Sequence, residues 1–341
     1  MQVDLLRKIA WCVAGLAWFS YLSGSQAAPL SLVVSVPGPG NISYLPIELI
    51  HKIGADRAEN ADVRLIYATG GAIALEELLG RNSDFAVAGL PAVLSQRQHQ
   101  RKVVALAAVN DLPLFILMVR SDLNRKVKTI RDLKGRVIGV NTSTLGSKTT
   151  SQQLLEIMLK SNGVGTNDVR IIAAGQSWDT QSSLMLSKQA DALMGDEPFA
   201  SRLQSSGQVF ALANLADGRT TKNIPGASFL HATLNTHADV ISQTPEKVAT
   251  MVAILQRTLR WMATNPPEKI VETLQISDAS EKAALLAALK QYPRLYSRDG
   301  RFSDAQLQQT AQFFSASSGD LTASERLLRE TVDDRWAGRK D

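Results

Sequence analysis

Between Ile130 and Leu203 the chain reads as one β-α-β-α-β unit, and no other stretch restricts the possible fold as tightly. A buried strand over Arg136–Val140 runs into the polar turn Asn141–Ser147 and then a long helix. Residues Asp168–Gly175 give a second strand, another helix follows, and a third strand ends in the acidic turn Asp196-Glu197-Pro198. Right-handed crossovers between parallel strands place every strand-to-helix loop at the carboxyl ends of the strands. Asn141–Ser147 and Gly195–Pro198 are therefore predicted to face one crevice, the place where open α/β sheets hold their ligands.

Upstream, the β-branched run Ser31–Val36 stops at Pro37-Gly38-Pro39-Gly40, which cannot continue a strand. A helix over Tyr44–Ile53 is predicted with Ser43 as N-cap, followed by strands over Val63–Ala68, Phe85–Ala88 and Val103–Val109 and a helix over Ala72–Leu79. Strands alternating with helices require a mostly parallel sheet covered on both faces. A strand over Leu114–Arg120 comes directly after Asn110–Pro113 with no helix between, which marks a crossing into a second sheet. The return passes through Val209–Leu212 and a polar stretch to an extended run at Ser228–Leu234, and the two extended links read as a two-stranded hinge. From Thr244 onward only helical periodicity remains, broken at Asn265-Pro266-Pro267, and these helices are expected to wrap back over the first sheet.

At 341 residues the chain suggests about two domains. Residues 1–27 carry Arg7-Lys8, an apolar run over Ile9–Leu22 and small residues at Ser25 and Ala27, the pattern of a secretory signal peptide cut after Ala27; an uncleaved anchor is the alternative. The single cysteine, Cys12, lies in that leader behind Trp11, where a lipoprotein signal needs a small residue. A chain beginning at residue 28 has no thiol, which excludes cysteine catalysis and disulfides. Lobe one is assigned to 28–112 plus 231–341, and lobe two to 113–230 including the hinge strands. The formal charge of +5 is scattered along the chain rather than gathered on one helix, so no nucleic-acid partner is expected.

Candidate ligand-binding residues follow from loop chemistry. Thr142, Ser143, Gly146 and Ser147 lie in a hydroxyl-rich turn before a helix, where free N–H groups and the helix dipole favour anionic or polar oxygens. Gly70 and Gly71 offer the same opposite, and Pro37 and Gly38 allow close approach of a ligand to the backbone. Gly89, at the third strand's end, and Asn110, at the first link, complete the crevice set. Asp196 and Glu197 either accept from a ligand donor or, for Glu197, cap the helix beginning at Pro198. Trp178 and Tyr44 are expected in loops, where they stack on a planar or alkyl ligand or pack ordinarily. The four histidines form no metal-type pair and read as structural or solvated. No metal or cofactor is expected, and no G-x-S-x-G elbow, Walker loop or H-E-x-x-H motif supports an enzyme.

The order Asp132-Leu133-Lys134-Gly135-Arg136-Val137-Ile138-Gly139-Val140, polar turn, Asp191-Ala192 strand and Glu197-Pro198 resembles the periplasmic solute-binding proteins of nitrate, sulfonate and taurine ABC importers, a set that includes binding proteins for thiamine-pyrimidine precursors. The break at Trp261–Pro267 is similar too, while Lys52–Asn60 departs from the Gly-Phe-Phe and Glu-Glu-Gly-Leu segments usual there. The resemblance implies an α/β fold of two doubly wound lobes joined by a two-stranded hinge, like type II periplasmic binding proteins, with C-terminal helices packed on the first lobe. It implies a small polar or anionic organic solute in the cleft, an inner-membrane ABC permease as partner and a periplasmic location, a function for which a monomer suffices. A receptor presenting its solute to a sensor kinase or chemoreceptor is the alternative. An enzyme like the eukaryotic pyrimidine-precursor synthases, whose site looks cysteine-rich and histidine-bearing, is disfavoured by the missing cysteine. The acidic turn argues against a bare inorganic anion such as nitrate, because a carboxylate buried beside it would lack a compensating cation.

Overall fold

The structure, a computed structural model, describes residues 28–340; the leader assigned to 1–27 lies outside the described residues. The first half alternates strand and helix: β1 (Leu30–Pro37), α1 (Leu45–Lys52), β2 (Ala61–Ala68), α2 (Gly71–Leu79), β3 (Phe85–Gly89), α3 (Leu90–Gln98) and β4 (Val103–Ala108). The chain then crosses into β5 (Phe115–Arg120), β6 (Val137–Val140), α4 (Thr150–Ser161), β7 (Arg170–Ala173), α5 (Trp178–Leu186), β8 (Ala192–Asp196), α6 (Phe199–Ser205) and β9 (Val209–Asn214). After the short α7 (Gly218–Thr221) it returns as β10 (Ala232–His237) and continues in α8 (Ala238–Gln243), α9 (Pro245–Thr264), α10 (Pro267–Leu274), α11 (Ala279–Gln291), α12 (Asp304–Ser318) and α13 (Leu321–Thr331). Contrary to the all-helical expectation, the short parallel strands β11 (Phe302–Ser303) and β12 (Arg339–Lys340) pair before α12 and after α13.

Two five-stranded sheets result, in the orders β2-β1-β3-β10-β4 and β7-β6-β8-β5-β9. The β-α-β-α-β unit is realised: β6 runs parallel to β7 and β8, with Ile138 beside both Ile171 and Ala192. In each sheet one strand is antiparallel to its neighbours, β10 in the first and β5 in the second, because each is where the chain changes lobes. Strands covered on both faces are apolar without alternation; Phe85, Ala86, Val87 and Ala88 are all fully buried. Gly139 in β6 is there for room, since a Cβ would come within 3.0 Å of Ala174 and Leu193.

The links lie side by side: Val109 N–H and Asn110 N–H both donate to the Ala232 carbonyl, and Ala232 N–H donates to Asn110 Oδ1 at 2.6 Å. The second link is not extended throughout, however. Asp217 Oδ1 accepts from Arg219 N–H and turns Gly218–Thr221 into a helix. The N-cap before α1 also differs from expectation: Asn41, not Ser43, accepts the first free amide, from Ser43 at 2.9 Å. A 3₁₀ turn over Ile42–Tyr44 then leads into the helix, as Pro46 has no N–H with which to close an α turn.

The C-terminal helices pack chiefly on the first sheet's side, α9 against α1 and both α12 and α13 against α3. Helix α12 also reaches the other side, where Phe313 stacks on Phe229 with ring centroids 4.2 Å apart. Among the described residues no helix is long and apolar enough to cross a membrane.

Candidate functional site

Where the two sheets face each other, the carboxyl ends of their strands enclose a small cavity of about 20 Å³. Tyr44, Gly71 and Gly89 contribute from the first sheet's loops, and Asn141, Thr149–Ser151 and Gln176 from the second's. Phe115 and His231, one from each link's end, close it from behind. The amino ends of α2 and α4 both abut this space, at Gly71 and at Thr149–Ser151, bringing positive helix-dipole ends to it.

Several buried polar atoms of the wall have no protein partner: Thr150 Oγ1, Gln176 Oε1 and His231 Nδ1. Leaving such a group unsatisfied costs about 1–3 kcal/mol, and three of them face this one cavity. No lysine or arginine lines the cavity. His231 is itself neutral, its pKa pushed down to about 3 by burial, with the Phe115 ring edge-on 4.9 Å away. Burial first, and the charge of Asp196 second, hold the Tyr44 phenol protonated. The wall is thus a set of neutral donors and acceptors with two aromatic surfaces, suited to a polar or anionic head and a planar or alkyl body.

The predicted residues divide into three groups. Tyr44, Gly71 and Gly89 line the cavity. A second group joins the lobes around it. Thr69 Oγ1 and Ser143 Oγ are 2.7 Å apart, Ser147 Oγ donates to Glu76 at 3.1 Å, and Gly70 packs on Thr142. Gly146 and Ser147 line a separate outer groove between α2 and the turn before α4. Asp196, at the end of β8, accepts from Asn41 Nδ2 across the junction. Burial pushes its carboxyl up to about 7, against the lowering effect of the Asn41 and Asn141 amides and with a further raising effect from Glu197.

The third group is structural in its observed contacts. Asn110 staples the links. Thr142 closes its own turn through the Thr144 carbonyl. Gly38 N–H bonds to the Ala68 carbonyl, so that Pro37 and Gly38 form the turn leaving β1. Both Glu197 carboxylate oxygens accept from Ser201, its N–H at 3.0 Å and its hydroxyl at 2.8 Å, which is the helix-cap alternative. Trp178 does not lie in a loop: Ser177 caps α5, making Trp178 its first residue, and the indole lies under Arg202 at 4.0 Å. Tyr44 ends the 3₁₀ turn rather than a loop.

Sequence reasoning passed over Thr149, Thr150, Ser151, Gln176 and His231. Gln176 was findable, because the loop after β7 obeys the same carboxyl-end rule as those after β6 and β8. His231 carried a fainter signal, an ionisable residue between Leu230 and Ala232 in an apolar extended run.

Two α/β sheets, paired links and a polar cavity between the lobes define a two-lobed periplasmic-binding-protein fold. Solved structures of that fold superpose over nearly the whole chain. A protein from Bordetella bronchiseptica RB50 matches with a TM-score of 0.79 at 20% identity, covering 91% of this chain and 96% of its own. The alkanesulfonate-binding protein SsuA from Xanthomonas axonopodis pv. citri, bound to MOPS, gives 0.69 at 18% identity, covering 90% and 99%. The periplasmic nitrate-binding protein NrtA from Synechocystis PCC 6803 gives 0.67 at 10% identity, covering 89% and 86%. A comparison with curated protein sequences finds no match. The sequence model described as NMT1/THI5 like matches residues 57–269, and the chain belongs to that family.

Proposed function

We propose that this protein is the periplasmic substrate-binding component of an ABC importer, taking up a small polar or anionic organic solute between lobe one (28–112 and 231–341) and lobe two (113–230). The carrying observation is the interlobe cavity with its three unpartnered buried atoms, Thr150 Oγ1, Gln176 Oε1 and His231 Nδ1. A cavity of 20 Å³ holds about one water molecule. A solute of several heavy atoms therefore needs the lobes to part, by rotation about Val109–Leu114 and Leu215–Ala232, and to close again around it. With no lysine or arginine in the wall, the anionic head of an alkanesulfonate or carboxylate would be held by backbone amides at Gly71 and Thr150 and by neutral side chains. The Asp196 carboxyl, raised to about 7 mainly by burial, is partly protonated at neutral pH, which lessens the repulsion that an ionised carboxylate would exert on such a head. The bound solute is released unchanged to a membrane permease.

A thermal-shift screen tests this on the chain from residue 28, stripped of co-purified ligand, against alkanesulfonates, taurine, nitrate, aminopyrimidines and aromatic carboxylates. A solute at about a hundred times its dissociation constant adds about 2.7 kcal/mol, several degrees of melting temperature. A hit confined to one chemical class supports the reading. A flat screen, or chemical turnover of the solute, rejects it.

A further inference from the structure

A second and larger cavity, of about 420 Å³, lies away from the cleft among the C-terminal helices. Its floor is apolar: Leu259 and Met262 from α9, Ile270 from α10 and Leu289 from α11. The segment after α11 forms the rim, presenting Arg294 and Arg298. Of the wall's two carboxylates, Asp111 pairs through Oδ2 with Lys340, also in the wall, at 2.8 Å while its Oδ1 is buried without a partner, and Asp299 lies 3.6 Å from Arg301. Arg294 and Arg298 are exposed and have no ion pair or hydrogen-bond acceptor among the described residues. An apolar floor under two uncompensated guanidinium groups is complementary to one kind of small molecule, an apolar chain ending in a single negative charge.

We propose that this cavity is a second binding site, independent of the solute cleft, for a medium-chain carboxylate, whose alkyl chain covers Leu259, Met262, Ile270 and Leu289 and whose head group pairs with Arg294 and Arg298. The rim is tied to the first link: Asp111 N–H donates to the Leu295 carbonyl at 2.7 Å, and Ser297 N–H to the Val109 carbonyl at 3.2 Å. Tyr296, also in the wall, donates from its hydroxyl to the Ile42 carbonyl at 2.7 Å. An occupant therefore bears on the segment about which the lobes turn.

Isothermal titration of the purified protein with octanoate, and with octylammonium as the charge-reversed control, tests the site. One octanoate per chain is expected, with no binding of octylammonium. Arg294→Ala/Arg298→Ala, two exposed positions, should weaken it by about tenfold or more, the effect of removing charge-assisted hydrogen bonds. The cleft variant Gln176→Ala should leave octanoate binding unchanged. No octanoate binding, equal binding of octylammonium, or an unaffected double arginine variant overturns the proposal. Loss confined to Gln176→Ala overturns it as well, since octanoate would then occupy the cleft.

Discussion

Thr150 Oγ1 occupies the space that a Cβ on Gly89 would take, so that a helix start of the second lobe rests on a strand end of the first with nothing between. Gly89 has φ −63°, which alanine adopts freely, and the cost of a side chain there is steric alone. Gly89→Ala should hold the lobes apart. Expected are a larger radius of gyration by small-angle scattering and solute affinity lowered by about tenfold or more. Unchanged affinity would show that this contact is not part of the closed state.

Gln176→Ala removes a cavity-facing amide whose oxygen has no protein partner. The free protein should melt within about 1 °C of wild type, since no internal bond is lost, whereas solute affinity should fall about tenfold. Equal losses of stability and affinity would make Gln176 a structural residue.

Glu197→Ala should act the other way round. Its carboxylate caps α6 through Ser201, so the loss should appear as about 1 kcal/mol of stability in chemical denaturation. A large drop in affinity at unchanged stability would restore Glu197 to the ligand-binding set.

The pH dependence of folding should report on Asp196. Its folded pKa is raised from the ordinary carboxyl value to about 7, mainly by burial. A raised acid binds its proton more tightly when folded, so its contribution to stability is fully present below the unfolded value near 4 and is lost as pH rises through 7. Glu48, also raised to about 7 by burial, runs the same way, whereas His231, depressed to about 3, gains stability up to about 6.5. The difference in stability between wild type and Asp196→Asn isolates the first effect. It should move against wild type between about pH 4 and 7 and level off above that, and a pH-independent difference would contradict the assignment.

Gly226 sits at φ +63°, and a Cβ there would overlap the Gln309 carbonyl and the Phe313 amide of α12. Gly226→Ala is expected to cost about 2–4 kcal/mol, from overpacking plus the left-handed backbone. A loss below about 1 kcal/mol in urea denaturation would mean that α12 can shift away from the second link.

Much of the fold was legible because it is written in local patterns. The apolar run at β6, the polar turn before α4 and the Pro-Gly break after β1 each act over a few residues, and the carboxyl-end rule then places the loops in one crevice without further information. Thus the positions of Tyr44, Gly71 and Gly89 beside the interlobe cavity were legible from sequence. The cap at Asn41 and the helix at Gly218 were missed because each depends on a side chain choosing between two neighbouring amides, which pattern does not resolve.

What the sequence by itself determined, then, is which segments are strands and helices, their order, and the end of each sheet that faces the crevice, since hydrophobic periodicity and turn chemistry are properties of neighbours along the chain. Only the tertiary structure decided which polar groups find partners within the protein and which do not. Asp196 and Glu197 are adjacent carboxylates with similar local chemistry, yet one reaches Asn41 across the lobes and the other caps its own helix. His231 stands out only once Tyr44, Phe115 and Gln176 are brought around it from distant parts of the chain. Burial and unmet hydrogen bonds belong to the packed assembly of all these segments, and no one of them carries that information alone.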